Sequence, residues 1–436
     1  MAGNRNKLIL PLCLACAMAV SAQESKPTVR HHRVPVEDAV AAAIARAEAA
    51  MDKKDYAAAE QALNEAVKRG PNNYRAWFDL GFVYTALHRD ADAVAAYRKS
   101  VAADAKVFES NLNLGLMLAR ASDAEAAKYL RAATELKPTA KPEEGLYRAW
   151  VSLGQVLEDK DPGEALSAFR RAAELKPNRA EAHLFAASAA EKAVDLATAE
   201  QEYKAAAASD PKSADAIAGL AYIYEKTKRL PEAEDALRKY LALDPQSAKA
   251  HLQLGHVLTA EGKAEDAQAE LEKALQLSPG DAQTERELAM LYASNREFAK
   301  AEQHFRAALQ QQPNDAELHH RLGTALLEQQ KYEDAQKELL AAVNLKPDFG
   351  IAYGDLAFAA SANKDYPLTI KALDARARLL QEIPFTLFLR ATAYDHMGER
   401  KLAAASYHQF LAAANGKFPD QEWQARHRLI AIEPKK

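Results

Sequence analysis

The chain has 436 residues, 27% charged and 49% hydrophobic, with a formal charge of −4 at pH 7. Its 16 glycines and 18 prolines exclude a low-complexity chain, and its small acidic charge excludes a dedicated polyanion-binding protein. A chain of this length contains either two or three globular domains or an array of repeats.

The first 22 residues have the parts of a secretory signal. Arg5 and Lys7 give a positive start, residues 8–20 form an apolar run, and small residues precede Gln23. The run is shorter than the roughly 20 apolar residues that a helix needs to cross a membrane, so we interpret residues 1–22 as a cleaved signal peptide. This predicts an exported protein, either periplasmic or extracellular.

Both cysteines of the chain, Cys13 and Cys16, lie inside this segment. Their spacing would suggest a redox or metal pair in a cytosolic protein, but within a discarded signal they are ordinary apolar residues. An alternative is a lipoprotein signal that anchors the chain through Cys16. It fits less well, because Cys13 stands where such signals favour leucine. Without cysteine, the mature chain must be stabilised by packing.

Prolines recur at a fixed interval through much of the remaining chain. Six of them are 34 residues apart, at Pro177, Pro211, Pro245, Pro279, Pro313 and Pro347. A proline inside a helix removes a hydrogen bond and clashes with the preceding turn. Regularly spaced prolines therefore predict regularly spaced helix ends.

Each interval contains two helical stripes that combine small and large residues. In the unit that begins at Ala248, the stripe residues are Leu254, Gly255 and Leu258, then Ala267, Leu271 and Ala274. Small residues let two helices approach closely, and large residues fill the neighbouring groove. The second unit has the same pattern in Trp77, Leu80, Gly81, Tyr84, Ala93 and Tyr97.

This pattern resembles the tetratricopeptide repeat family, whose signature is Trp-x2-Leu-Gly-x2-Tyr, Ala-x3-Phe-x2-Ala and a closing proline. The resemblance implies an all-α fold, a right-handed superhelical solenoid of about eleven helix-turn-helix units in which neighbours stabilise one another. We place the unit starts near Val40, Tyr74, Phe108, Tyr147, Ala180, Ala214, Ala248, Ala282, Ala316, Gly350 and Pro384.

Some segments depart from the repeat. The third and fourth units each lack one residue in their internal turn, and we expect the insertion between them to loop out. In the last two units, Arg376 stands where alanine is expected and Arg390 where leucine is expected. Residues 420–432 form a further amphipathic helix that would cap the stack. The predicted domains are a signal peptide (1–22), a flexible leader (23–37), the solenoid (38–417, insertion 139–146) and a capping helix with a tail (418–436).

The sequence shows none of the common catalytic, metal-binding or nucleotide-binding motifs. The histidines of the pairs His251/His256 and His319/His320 do not face one point, and acidic residues are ordinary on the surface of a solenoid. The repeats also occupy almost the whole mature chain. We therefore expect no enzyme activity, no cofactor, no metal site and, without a basic stripe, no nucleic-acid binding.

By analogy with the family, residues 2, 5, 9, 12 and 13 of each unit should line the concave face. These positions predict an apolar binding patch formed by Phe78, Phe82, Leu112 and Leu116, with Arg75 and Arg120 beside it. The alternative is that these side chains pack against their neighbours inside the fold. The middle units predict an acidic stretch that would bind a basic or mixed-charge segment, formed by Glu158, Glu191, Tyr222 and Glu225. The alternative is an ordinary solvated surface. Met290, Phe358, Phe385 and Phe388 suggest a second apolar region.

The expected function is a non-enzymatic scaffold that binds a peptide or a helix of a partner protein on its concave face. Two alternatives remain, a structural envelope-assembly factor and the binding subunit of an enzyme that acts on polysaccharide or peptidoglycan. The expected partner is another protein or peptide, and no membrane span is expected in the mature chain.

Overall fold

The computed structural model describes residues 39–433, so the signal peptide and the flexible leader lie outside the described residues and remain predictions. Within this range the chain forms 23 helices joined by short connections, and no strand occurs. The all-α prediction is confirmed. The chain divides into two compact units, the first ending at Leu243 and the second beginning at Asp244.

The first unit contains six helix pairs. Their bounds are α1 (Ala39–Asp52), α2 (Tyr56–Arg69), α3 (Tyr74–Ala86), α4 (Asp90–Ala103), α5 (Phe108–Arg120), α6 (Ala126–Thr134), α7 (Pro142–Leu157), α8 (Pro162–Leu175), α9 (Ala180–Lys192), α10 (Leu196–Ser209), α11 (Ala214–Lys226) and α12 (Leu230–Leu243). Each odd-numbered helix packs against the even-numbered helix that follows it.

The second unit contains five helix pairs and a final single helix. Their bounds are α13 (Ala248–Ala260), α14 (Ala264–Leu277), α15 (Ala282–Ser294), α16 (Phe298–Gln311), α17 (Ala316–Glu328), α18 (Tyr332–Leu345), α19 (Gly350–Ala362), α20 (Tyr366–Leu379), α21 (Pro384–His396), α22 (Arg400–Ala414) and α23 (Pro419–Ile432). The first helix of every pair begins within one residue of a predicted unit start, except α7, which begins earlier.

Short polar side chains begin many of these helices. Asp55 and Asn73, for example, each accept a hydrogen bond of 3.0 Å from the backbone N–H three residues later. Such oxygens satisfy donors that the first helical turn leaves open. The same cap occurs at Asp161, Asp195, Ser213, Ser247, Asp281, Asp315 and Asp365.

A residue in the left-handed region turns the chain inside ten of the eleven pairs. These residues are Lys54, His88, Ser122, Val194, Lys228, Gly262, Arg296, Gln330, Lys364 and Gly398. Glycine reaches this region without steric cost, as at Gly262 with φ +77°. The pair α7–α8 lacks the left-handed residue, because its internal turn is shorter, as its sequence indicates.

Glycines on the first helix set the spacing between the two helices of a pair. A Cβ at Gly81 would lie 2.6 Å from the ring of Tyr97, and a Cβ at Gly323 would lie 2.6 Å from Leu339. Real side-chain atoms do not approach this closely, so the large residue of the second helix occupies the space that glycine leaves. The close approach predicted for the small residues is confirmed.

The insertion at residues 139–146 is ordered against the third pair, so the prediction that it loops out is wrong. Its second half forms the start of α7, which begins at Pro142. Its first half is held by Glu109 of α5, whose Oε1 accepts hydrogen bonds from the Thr139 backbone N–H at 2.8 Å and from the Thr139 hydroxyl at 2.6 Å. Glu109 is fully buried, so these bonds form inside the fold.

The last helix, α23, covers the end of the second unit, as predicted. Ala425 and Leu429 are buried in a cluster that contains the large side chains of α22. Arg428 adds a two-pronged ion pair with Asp395 of α21, with N···O distances of 2.6 and 2.7 Å. The bidentate geometry fixes α23 relative to the last helix pair.

Candidate functional site

The predicted apolar patch of the second and third repeats is largely internal. Phe78 is 1% exposed and packs beside the ring of Tyr97, and Leu112 is completely buried. The fifth position of these repeats therefore points into the core, where large apolar side chains fill the space between helices. Phe78 and Leu112 cannot contact a partner, and the patch as predicted is wrong in these two members.

The other predicted residues of this region remain accessible to different extents. Phe82 and Leu116 are half-buried against the core. Arg75 forms an ion pair with Glu48, and Arg120 lies on the surface, 3.8 Å from Asp90.

The middle repeats bring their predicted acidic residues together. Glu158 follows the end of α7, and its Oε1 accepts a hydrogen bond of 2.7 Å from the Ser188 hydroxyl of α9. Lys192, at the end of α9, lies 3.3 Å from Glu158 and 2.6 Å from Asp159. These contacts place the ends of α7 and α9 side by side.

The same surface continues from α9 to α11. Burial raises the pKa of Tyr222, and the nearby carboxylates of Glu191 and Glu225 raise it further, so the tyrosine lies close to both. Burial also raises the pKa of Glu191, partly offset by a hydrogen bond from the Tyr203 hydroxyl. We call the surface formed by Glu158, Glu191, Tyr222 and Glu225 the acidic face.

The acidic face has the chemistry of a site for an organic cation. Within residues 39–433, no ion pair joins Glu191 or Glu225 to a basic side chain, and Lys192 is held by Glu158 and Asp159. Carboxylates beside an aromatic ring attract an ammonium or guanidinium group through charge and through the ring face. Lys226 shows the second of these contacts, with its Nζ 5.4 Å from the centre of the Tyr222 ring.

Sequence reasoning found the carboxylates of this face but missed their supports. The hydroxyls of Ser188 and Tyr203 hold Glu158 and Glu191, respectively. The repeat could have indicated both supports. Ser188 lies one repeat after Glu158, and Tyr203 lies on the helix paired with that of Glu191. That signal is weak in a single sequence, since serine and tyrosine serve many roles at such positions.

The second predicted apolar region is partly exposed. Phe358 and Phe385 are 37% and 48% exposed, and their ring centres are 5.9 Å apart. Phe388 is half-buried and packs on Phe410, with ring centres 5.0 Å apart, and Met290 is half-buried. Phe358 and Phe385 therefore form an accessible aromatic pair within the second unit.

Two family models, both described as tetratricopeptide repeat, match this chain. One matches residues 191–255 and 293–357, and the other matches residues 44–107, 157–214 and 252–316. Together the matches cover well over half of the chain. The chain belongs to the tetratricopeptide repeat family.

Solved structures of several repeat proteins are also similar to this chain. YrrB, described as a tetratricopeptide-repeat protein with an unusual peptide-binding site, is 24% identical over 43% of this chain and 96% of its own, with a TM-score of 0.39. Pseudomonas aeruginosa PilF is 23% identical over 50% of this chain and 98% of its own, with a TM-score of 0.41. A chain of the Cut9–Hcn1 assembly is 15% identical over 88% of this chain and 96% of its own, with a TM-score of 0.37. No curated protein matches the chain.

Tetratricopeptide-repeat proteins are interaction scaffolds, and their fold is typically non-catalytic. Among residues 39–433, no group of three or more histidine, cysteine or acidic side chains is arranged to hold a metal ion. In the same part of the chain, no helix combines the length and the apolar character that crossing a membrane requires.

Proposed function

We propose that this protein is a non-enzymatic scaffold whose acidic face binds a basic side chain of an extended partner segment. The lysine or arginine of the partner would lie between Glu191 and Glu225 and over the ring of Tyr222. Apolar contacts from half-buried residues of the same repeats would add affinity, while the charges would set register and specificity.

The observation that carries this proposal is the desolvated charge of Glu191. Burial raises the pKa of this carboxyl, and no basic side chain among residues 39–433 forms an ion pair with it. A partner cation would relieve that cost, because an opposite charge stabilises the ionised form. The proposal therefore includes proton release on binding at mildly acidic pH.

A library of random peptides displayed on phage provides a direct test. Selection on the purified protein should enrich sequences with lysine or arginine at one fixed position. Replacing Glu191→Gln or Glu225→Gln should weaken a selected peptide about tenfold or more, because a hydrogen bond to a charged group contributes about 1.5–3 kcal/mol. Affinity should also fall as salt rises.

Glu174→Gln is the matched control, since Glu174 is 63% exposed on the second helix of its pair, and Arg171 at 2.8 Å is its one ion-pair partner among residues 39–433. It should bind the selected peptides like the unmodified protein. Selection of peptides without basic residues, or equal binding by the Glu191→Gln/Glu225→Gln double variant, would refute the proposal.

A further inference from the structure

Exposed apolar side chains are concentrated at one end of the chain. Thirteen of the sixteen large hydrophobic side chains that are exposed among the described residues lie between Leu340 and Ile430. Scattered exposed residues need no explanation, but a concentration of them indicates a contact surface. Two helices of the second unit, α23 and α19, present such residues in matching patterns.

The outer side of α23 carries a stripe of three residues, Trp423, His427 and Ile430, which we call the α23 stripe. Trp423 and Ile430 are 61% and 72% exposed, although the outer face of a terminal cap is expected to be polar. His427 lies on Trp423, with ring centres 3.8 Å apart, and its Nδ1 contacts the Trp423 carbonyl oxygen at 2.9 Å. Because a carbonyl oxygen only accepts, Nδ1 donates this hydrogen bond.

The outer side of α19 carries a second stripe, Ile351, Asp355 and Phe358, which we call the α19 stripe. Ile351 and Phe358 are 61% and 37% exposed. The side chain of Asp355 is 34% exposed, and its Oδ2 lies 2.8 Å from His320 Nε2. Phe385 extends the apolar part of this surface beside Phe358.

The two stripes have the same spacing, and the residue at the centre of each is ionisable. In each, an apolar residue is followed four residues later by a charged or ionisable one and seven residues later by a second apolar one. The outer two residues of each stripe are therefore about 10 Å apart along the axis. The centre of the α23 stripe is a histidine, and the centre of the α19 stripe is a carboxylate.

From this match we infer that the α23 stripe of one molecule packs, parallel and in register, on the α19 stripe of a second copy. Trp423 would contact Ile351, His427 would face Asp355, and Ile430 would contact Phe358. The parallel alignment places His427 directly opposite Asp355, whereas an antiparallel alignment would offset the two by one residue. Within one chain the α23 stripe faces away from α22, which holds the opposite side of the helix through Ala425 and Leu429.

In this proposal, each copy contributes both stripes, and two molecules exchange them around a two-fold axis to form a closed dimer. The contact uses side chains that are exposed or partly exposed in the single chain. It is independent of the acidic face, which lies in the first unit.

Sedimentation velocity over a range of protein concentrations tests this inference. The unmodified protein should shift from monomer to dimer as concentration rises, and Trp423→Ser or Phe358→Ser should abolish the shift. A mixture of these two variants should form a heterodimer, because the intact α23 stripe of one meets the intact α19 stripe of the other. A protein that stays monomeric at all concentrations, or variants that dimerise like the original, would overturn the inference.

Charge variants separate this contact from unspecific apolar association. His427→Glu should abolish the dimer by placing a carboxylate opposite Asp355, while His427→Lys should retain it. Val194→Ser, which removes a 79% exposed apolar side chain from the first unit, should leave dimer formation unchanged. Circular dichroism confirms that each variant is folded. Equal dimerisation of the glutamate and lysine variants would contradict the proposed register.

Discussion

The position of Glu191 lowers the stability of the fold when its carboxyl is ionised. The carboxyl lies half-buried between α9 and α11, and burial raises its pKa above the ordinary value of 4.5. A group whose pKa is raised on folding stabilises the fold below its ordinary pKa and loses that contribution as pH rises through the folded value. At neutral pH the ionised Glu191 therefore costs stability.

Replacing Glu191→Gln should consequently stabilise the protein at neutral pH. Glutamine can still accept the hydrogen bond from Tyr203, but it carries no charge to desolvate. Thermal unfolding followed from about pH 4 to about pH 8 should show the variant above the original at the upper end and equal to it at the lower end. Glu174→Gln should show no such trend. A Glu191→Gln variant that is less stable at neutral pH would mean that the carboxylate has a stabilising partner in the fold.

The residue scale is also where the sequence predicted least. Positions five and nine of a repeat both carry large apolar residues, yet Phe78 is buried and Phe358 is exposed. Which of these positions reaches the surface depends on the side chains of the neighbouring helices, and a pattern within one repeat does not contain that information. The acidic residues were easier to place, because desolvation keeps most carboxylates at the surface wherever the backbone permits.

Helices, by contrast, were predictable from the 34-residue pattern alone. Prolines, small residues and left-handed turns all recur at the same interval, so each pair repeats one set of local requirements. The insertion at residues 139–146 broke that pattern and was predicted wrongly. Its order depends on Glu109, a residue thirty positions earlier in the chain, and local sequence cannot show such a contact.

Thr139→Val tests whether Glu109 anchors the insertion. Valine keeps the backbone N–H but removes the hydroxyl, which donates to Glu109 at 2.6 Å. The other oxygen, Oε2, is buried and has no hydrogen-bond partner among residues 39–433, so the carboxyl depends on Thr139. We expect a loss of about 2 kcal/mol in the free energy of unfolding, measured by urea denaturation.

Thr134→Val is the appropriate control, because its hydroxyl donates to the backbone carbonyl of Arg131 at 2.7 Å in an exposed part of α6. It should change stability by no more than about 0.5 kcal/mol. If both threonine variants behave alike, Glu109 does not hold the insertion through the Thr139 hydroxyl.

At the scale of the whole molecule, the chain is a series of helix pairs in which packing is mostly between neighbours. Within each of the two units, each pair packs against the next, so stability there is shared mainly between adjacent pairs. This organisation follows from the repeat, and the sequence therefore predicted it. Of the exposed stripes of α19 and α23, only Phe358 was expected at the surface, because the repeat does not constrain the other positions.

Deleting residues 418–436 should show how far such stabilisation extends within the second unit. The deletion removes Ala425 and Leu429 from the cluster around Tyr407 and Phe410, together with the ion pair between Arg428 and Asp395. The last pair, α21–α22, then loses the helix that packs on its C-terminal side and should open by local unfolding. Hydrogen exchange should become much faster in α21 and α22, while α13 to α16 keep their protection.

The reference for this comparison is the full-length Trp423→Ser variant rather than the unmodified protein. Both it and the truncated chain lack the proposed contact with a second copy, so any difference between them reports the packing of α23 on its own unit. Trp423 is exposed, and its replacement leaves the buried side of α23 intact. A loss of protection confined to the last pair is the nearest-neighbour result, whereas equal loss from α13 onward would show that the second unit unfolds as one cooperative block.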